Sequence, residues 1–249
     1  MGKGIGALGG ASPGHRSGAM GQAISDFESL DPTAYGNGTV MFRQPSFSGS
    51  TGGQLDTTDP ANNVSQLVAG NWMMVRWLWA PTGSWLRLTT YAATVLPNPA
   101  IDYTQKLVFS VLYPAGDPLG IALGSRDNGT TAAIGADGTA VGPIEWIGAS
   151  GGDGTVGPTV TQTISASPEW QTITIDIPNE PVTAFAGTGV NGVLDNTRGT
   201  IEHLAFVRTG AAGPYEIYLD NFHMVPEPGS LLALCAGLAG FAGLLRRRA

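Results

Sequence analysis

Cysteine, histidine and charge are what this 249-residue chain has least of, and each shortage removes a class of function. Its one cysteine, Cys235, lies in an apolar run near the C-terminus, so the rest of the chain can form neither a disulfide nor a thiolate zinc site. A folded domain here must be held by packing, with a hard metal ion as the remaining available staple. The three histidines, His15, His203 and His223, are scattered, and no H-E-x-x-H pair sets two of them on one helical turn. No G-x-S-x-G elbow presents a nucleophilic serine. Charged residues make up 12% of the chain, the formal net charge is −7, and the Lys/Arg cluster is confined to Arg246, Arg247 and Arg248. Binding to phosphates needs clustered cations, so nucleic acid is excluded as a partner. Long helical periodicity is also missing. The G-x-G-x-x-G matches at Gly4 to Gly9 and Gly187 to Gly192 lack the strand-then-helix setting of a dinucleotide site.

What the chain does have is glycine, 37 residues of it, and short runs rich in Thr, Val and Ile. That is the composition of strands joined by many turns. Gln171 to Ile177 alternates, with Ile173, Ile175 and Ile177 on one face and Thr172, Thr174 and Asp176 on the other, the pattern of a half-buried antiparallel strand. Leu107 to Tyr113 and Ile201 to Val207 are more continuously apolar, as central strands of a sandwich are. Val75 to Trp79 and Trp85 to Tyr91 flank Ala80 to Ser84, which reads as a hairpin loop. Many strands and few helices predict an all-β fold, an antiparallel β-sandwich, over residues 24–225.

The C-terminal residues carry an address. Pro226 and Pro228 fix φ and withhold backbone donors, so the last strand is expected to end at Val225. From Leu231 to Leu245 every residue is apolar or Gly, and Arg246, Arg247 and Arg248 follow at once. As a helix this run spans about 22 Å against about 30 Å of hydrocarbon, a mismatch that bilayer thinning and snorkelling arginines accommodate. A single C-terminal transmembrane helix is expected, with the arginines cytoplasmic and the residues before Pro226 outside. The triplet Pro226, Glu227 and Pro228, the short span and the Arg cluster together resemble the PEP-CTERM sorting signal of Gram-negative and related bacteria. The resemblance implies that an exosortase recognises and processes residues 226–249. It also implies membrane anchorage before processing and delivery to the cell surface or extracellular matrix. At the other end, residues 1–23 are Gly/Ser/Ala-rich without an apolar run and are expected to be disordered. No basic n-region with an h-region is visible there, so export calls for a start further upstream or an atypical leader.

A second resemblance involves both ends of the globular part. The opening Phe27-Glu28, Trp170 ahead of the alternating strand, and the closing Tyr218-Leu219-Asp220-Asn221-Phe222 resemble the jelly-roll, galactose-binding-like modules found among carbohydrate-binding modules. That resemblance implies first and last strands side by side, with a structural Ca²⁺ between them held by Glu28 and Asp220 and with Asp26 as a candidate third acid. Two or three carboxylates are a start towards six to eight oxygen ligands. Asp220 and Asn221 read equally well as residues that terminate a strand. Trp77 and Trp79 share one face of their strand, and Trp85, Arg87 and Tyr91 one face of the next. A platform of Trp77, Trp79, Trp85 and Tyr91 would stack on the sugar rings of a polysaccharide. The tryptophans, with Trp72 and Trp146, would serve equally well as core. The sequence therefore describes an exported, non-catalytic sandwich, carbohydrate-binding or purely structural. The alternative, a secreted glycosidase, needs two carboxylates facing one cleft, for which Glu145 and Glu202 are the best-placed strand acids.

Overall fold

The alternation at Gln171 to Ile177 is realised as an edge strand with one face in the core. In the computed structural model, which describes residues 23–27, 41–68, 72–90, 98–130, 142–151 and 157–227, Ile173, Ile175 and Ile177 are buried while Thr172 and Thr174 are exposed. The described residues form β1 (Ala23–Ser25), β2 (Asn63–Val68), β3 (Trp72–Trp77), β4 (Trp85–Thr89), β5 (Ala100–Asp102), β6 (Gln105–Tyr113), β7 (Leu119–Arg126), β8 (Ile144–Ile147), β9 (Ala149–Ser150), β10 (Thr159–Val160), β11 (Gln162–Ile164), β12 (Ser167–Ile175), β13 (Val182–Ala186), β14 (Arg198–Arg208) and β15 (Tyr215–Pro226). One sheet runs β12-β6-β15-β3-β2 with β1 on β15; the other runs β13-β8-β7-β14-β4 with β11 on β7 and β5 on β14. Every pairing in both sheets is antiparallel.

Side chains of period two from the two sheets meet in one core, with Val75 and Trp77 of β3 and Phe109 of β6 on one side and Leu88, Leu123 and Phe206 on the other. Trp77 stacks on Tyr215 of its own sheet and on Phe206 of the opposite sheet, each at 5.4 Å between centroids. A second aromatic stack, Phe109 on Phe222 at 4.6 Å, fills the other end of the core.

The expected hairpin over residues 75–91 does not form. β3 pairs with β2 and β15, whereas β4 pairs with β14 in the other sheet, so residues 78–84 cross between sheets. Backbone bonds from Trp79 N to the Ala212 carbonyl and from Ala80 N to the Gln54 carbonyl fix the crossing. Arg208 adds its guanidinium, which donates to the carbonyls of Ala80, Pro81 and Gly83. Gly83 passes so close to the Gln54 carbonyl that a Cβ there would collide with it.

The first and last strands do lie together, with Ala23 opposite His223 and Ser25 opposite Phe222. Two boundaries move by one residue. Ala23 already belongs to β1, and β15 runs past Val225 to set Pro226 opposite Gln105. A proline lacks only the donor, and the final position of a strand tolerates that loss. Glu227 then pairs with Lys106 at 3.1 Å. Residues 1–22 and 228–249, including Pro228, the apolar span and Arg246 to Arg248, lie outside the described residues. Among the described residues no helix is long and apolar enough to cross a membrane.

Candidate functional site on the outer faces of the sheets

Three of the four residues expected to form a sugar platform are buried. Trp77 and Trp79 are 0% and 1% exposed and belong to the inter-sheet core, their rings meeting edge to face at 5.9 Å. Trp85 is buried on the outer side of the seven-stranded sheet, in a second cluster with Trp146 and Phe185. Gly157 lies against its ring closely enough that a Cβ would overlap it. The fourth, Tyr91, lies outside the described residues. An indole removes so much apolar surface from water that a sandwich without disulfides uses its tryptophans first as core, not as a sugar platform.

Apart from Phe47, which is exposed under the guanidinium of Arg43, two partly exposed indoles lie on the outer face of the six-stranded sheet. By alternation this face carries Trp170, Thr172 and Thr174 of β12, Leu112 of β6, Glu216 and Tyr218 of β15, and Trp72, Met74 and Arg76 of β3. Trp72 and Trp170, each half-buried, meet edge to face at 5.3 Å, and Trp72 meets Tyr218 at 6.2 Å. The two indoles roof Met74, Leu112 and Tyr218, which are buried although they point away from the core. Both indole Nε1 atoms are shielded and without a hydrogen-bond partner, so what these rings offer to solvent is carbon. A polar rim surrounds them: Arg76 opposite Glu216, the Tyr218 hydroxyl donating to Glu216 Oε1 at 2.6 Å, and exposed Gln66 and Thr172. The sequence placed Trp72 among the candidate aromatics and used Trp170 only as a marker of fold; the parity Trp170 shares with Thr172 and Thr174 was the signal for its outward face.

The two candidate catalytic carboxylates do not share a cleft. Glu145 stands opposite Ser125 on β7, whereas Glu202 is bound by the guanidinium of the next residue, Arg126, at 2.9 and 3.2 Å; successive strand residues point to opposite faces. Asn98 Nδ2 also donates to Glu202, at 2.8 Å. Glu145 is wholly buried and accepts the backbone N–H groups of Asn191 and Gly192 at 3.0 and 3.2 Å. Burial raises its pKa, and those two hydrogen bonds oppose the shift. Buried Asp127 holds the same loop further on, accepting from Asp195 N at 2.6 Å and Asn196 N at 3.4 Å. Both acids are loop anchors, and the loop they hold walls an open groove of about 400 Å³ lined by Tyr103, Thr104, Val182, Val193, Leu194 and Thr197.

At the junction of β1 and β15, two of the three expected metal ligands come from neighbouring strands. Asp26 follows β1, and Asp220 lies on β15 beside it. Glu28 lies outside the described residues. Asp220 accepts from Asn221 N at 2.7 Å and from Asn221 Nδ2 at 3.2 Å. Among the described residues no group of three His, Cys, Asp or Glu side chains converges on one point. The junction also holds two non-glycine residues with positive φ, Phe27 at 53° and Asn221 at 54°. Asparagine tolerates that conformation; phenylalanine does so only where its surroundings over-determine it.

Residues 225–248 match the family model of the PEP-CTERM protein-sorting motif. The motif marks the chain as exported and surface-directed. No curated protein matches this chain. Among solved structures, the chain is similar to a family 11 carbohydrate-binding module from Clostridium thermocellum in complex with a beta-1,3-1,4-mixed-linked tetrasaccharide. That likeness has 13% identity and a TM-score of 0.45, over 84% of this chain and 98% of that one. It is also similar to a family 30 module of a cellulosomal cellulase from the same organism, at 11% identity and a TM-score of 0.36, over 76% and 96% of the two chains.

On the outer face of the seven-stranded sheet, His203 is the group from which a pH dependence is expected. Arg87 Nη1 lies 3.1 Å from its Nε2 and Thr89 Oγ1 lies 3.2 Å from its Nδ1. A guanidinium can only donate, so Nε2 accepts and the ring proton is on Nδ1, donated to Thr89. Burial first, then the charges of Arg87 and Arg126, hold the His203 pKa well below the ordinary histidine value. The unfolded chain therefore binds this proton more tightly than the folded one, so stability from His203 is complete above about pH 6.5 and is lost as pH falls below it. Urea midpoints of the wild-type chain should fall between pH 7 and pH 5, and His203→Gln should flatten that slope. An equal slope in both proteins would contradict this account of the site.

Proposed function

We propose that this chain is a surface-displayed, non-catalytic sandwich that binds polysaccharide through the outer face of its six-stranded sheet. The observation that carries the reading is the pair of half-buried indoles, Trp72 and Trp170, presenting carbon to solvent inside a rim of Arg76, Glu216, Gln66 and Thr172. A sugar ring has an apolar face of C–H groups and a periphery of hydroxyls, which matches an aromatic surface edged by donors and acceptors. An exposed apolar patch with a polar border is a recognition surface on general grounds. The sorting tail supports the setting: an exosortase processes residues 226–249 at the membrane and the domain is left at the cell surface or in the matrix.

One assay tests both halves. Cells expressing the full chain should retain fluorescently labelled polysaccharides from a panel of plant and bacterial glucans. Truncation after Val225 should abolish surface display, whereas Trp72→Ala with Trp170→Ala should leave display intact and lose retention at least tenfold. Retention unchanged in the double variant would remove the site. Unchanged display of the truncated chain would remove the role of the tail.

A Ca²⁺ staple at the β1–β15 junction belongs to the same proposal, with Asp26, Asp220 and Glu28 as its carboxylates. Its support is the strained backbone at Phe27 beside two acids on neighbouring strands in a domain without disulfides. The ion would supply charge neutralisation and a cross-link between the first and last strands. Binding only to the folded state at a hundred times Kd adds about 2.7 kcal/mol, or about 5–10 °C in melting temperature for a domain of this size. Calcium should raise the melting temperature of chelator-treated protein by that amount, and Asp26→Asn and Asp220→Asn should each remove the increment. Identical melts with chelator and with calcium would rule the staple out.

A further inference from the structure

The two main strand paths end on β2 and β12 in one sheet and on β4 and β13 in the other, and among the described residues three of these four strands have chain beside them. Along β2, Ser46 N donates to Asn63 Oδ1 at 2.9 Å, Asn63 Nδ2 to Ser46 Oγ at 2.6 Å, and Ser65 Oγ to the Arg43 carbonyl at 3.0 Å, so the segment around Arg43 to Ser46 runs beside it. The same stretch closes the edge of β4, where Phe42 bridges Thr90 and Arg43 N donates to the Thr89 carbonyl at 2.9 Å. Beside β13 the loop anchored by Glu145 comes so near that a Cβ on Gly192 would lie 3.3 Å from Ala184 N. β12 is different. It pairs with β6 alone, and among the described residues the bonds that residues 171–175 receive or make outside that pairing are local ones, Ile177 N to the Ile175 carbonyl at 3.0 Å and Gln171 Nε2 to the Ser165 carbonyl at 2.9 Å.

Sheet edges left open are normally blunted by charge, proline, a bulge or brevity. The first half of β12 has such devices, Pro168 and a register irregularity between Ser167 and Gln171. Gln171-Thr172-Ile173-Thr174-Ile175 has none: no charge, no proline, no glycine, and regular pairing to β6 throughout. It is a strand built to be paired.

We infer that residues 171–175 of β12 form an interface with β12 of a second copy of this chain, joining two six-stranded sheets edge to edge. The segment is its own complement. In any antiparallel register that keeps both cores on the same side, residues of equal parity face each other. In the register centred on Ile173, Thr172 meets Thr174, Ile173 meets its own copy and Ile175 meets Gln171. Thr–Thr and Ile–Ile neighbours are favourable cross-strand pairs, and no like charges are brought together within the segment. Contact of β12 with β12 uses the same surface on both copies, so it is isologous and closed and yields a dimer and not a fibre. The inference is independent of the sugar-binding reading, because its readout is mass.

The full-length chain in detergent micelles should sediment as a concentration-dependent dimer. Thr172→Lys with Thr174→Lys, both at exposed positions, sets like charges opposite one another and should leave a monomer with unchanged near-ultraviolet circular dichroism. The control Thr172→Val with Thr174→Val should remain dimeric. Hydrogen exchange of the wild-type chain gives a readout without mutation: amides in 171–175 should gain protection as concentration rises. A wild-type monomer at every concentration would overturn the inference. So would a dimer that survives the two lysines, or protection in 171–175 that does not depend on concentration.

Discussion

The stack of Trp77 between Tyr215 and Phe206 is the contact on which the rest of the sandwich depends. Trp77 and Tyr215 come from one sheet and Phe206 from the other, so the three rings clamp the sheets together without a covalent link. The domain has no cysteine with which to do this otherwise. The clamp carries a cost, because the Trp77 Nε1–H is buried without a partner. Such an orphan costs about 1–3 kcal/mol. The apolar area removed from water, at about 25 cal/mol per Å² over an aromatic of about 150–250 Å², outweighs it.

Holding the core this way divides the aromatics into two populations with different work. Trp77, Trp79, Trp85 and Trp146 are almost wholly buried, and around them the glycines have no Cβ: Gly124 leaves room for the ring of Trp146 and Gly157 for that of Trp85. Trp72 and Trp170 are left over. They lie on the far side of β3 and β12 from the core and cover Met74, Leu112 and Tyr218 without being covered themselves. The outward-facing Trp170 and the segment 171–175 share β12, so the proposed sugar surface and the proposed pairing edge adjoin.

What could be read from the sequence was what is local along the chain. The Pro226-Glu227-Pro228 motif and the Ile/Thr alternation of β12 need no knowledge of the fold, and both were legible. The partners of a strand are not local. The turn chemistry of Ala80 to Ser84 suits a hairpin, yet β3 and β4 join different sheets, because each flanking run is apolar enough for an interior position in either. Choosing which tryptophans face out fails for the same reason: parity says that Trp72 and Trp77 point to opposite faces, but only the partner sheet decides which face is core. Glu145 and Glu202 were legible as strand acids, and their opposite directions follow from the pairing of β7 with β8 and β14.

The central claim, that Trp72 and Trp170 alone among six tryptophans meet both solvent and polysaccharide, is open to direct measurement by acrylamide quenching of the fluorescence of the full-length chain. The account predicts two classes of emitter, a shielded one and a quenchable, red-shifted one that disappears in the variant Trp72→Phe with Trp170→Phe. A saturating polysaccharide should protect the quenchable class and leave the shielded one unchanged. A quenchable class that persists in the double variant, or that the polysaccharide leaves unprotected while bound, would contradict it.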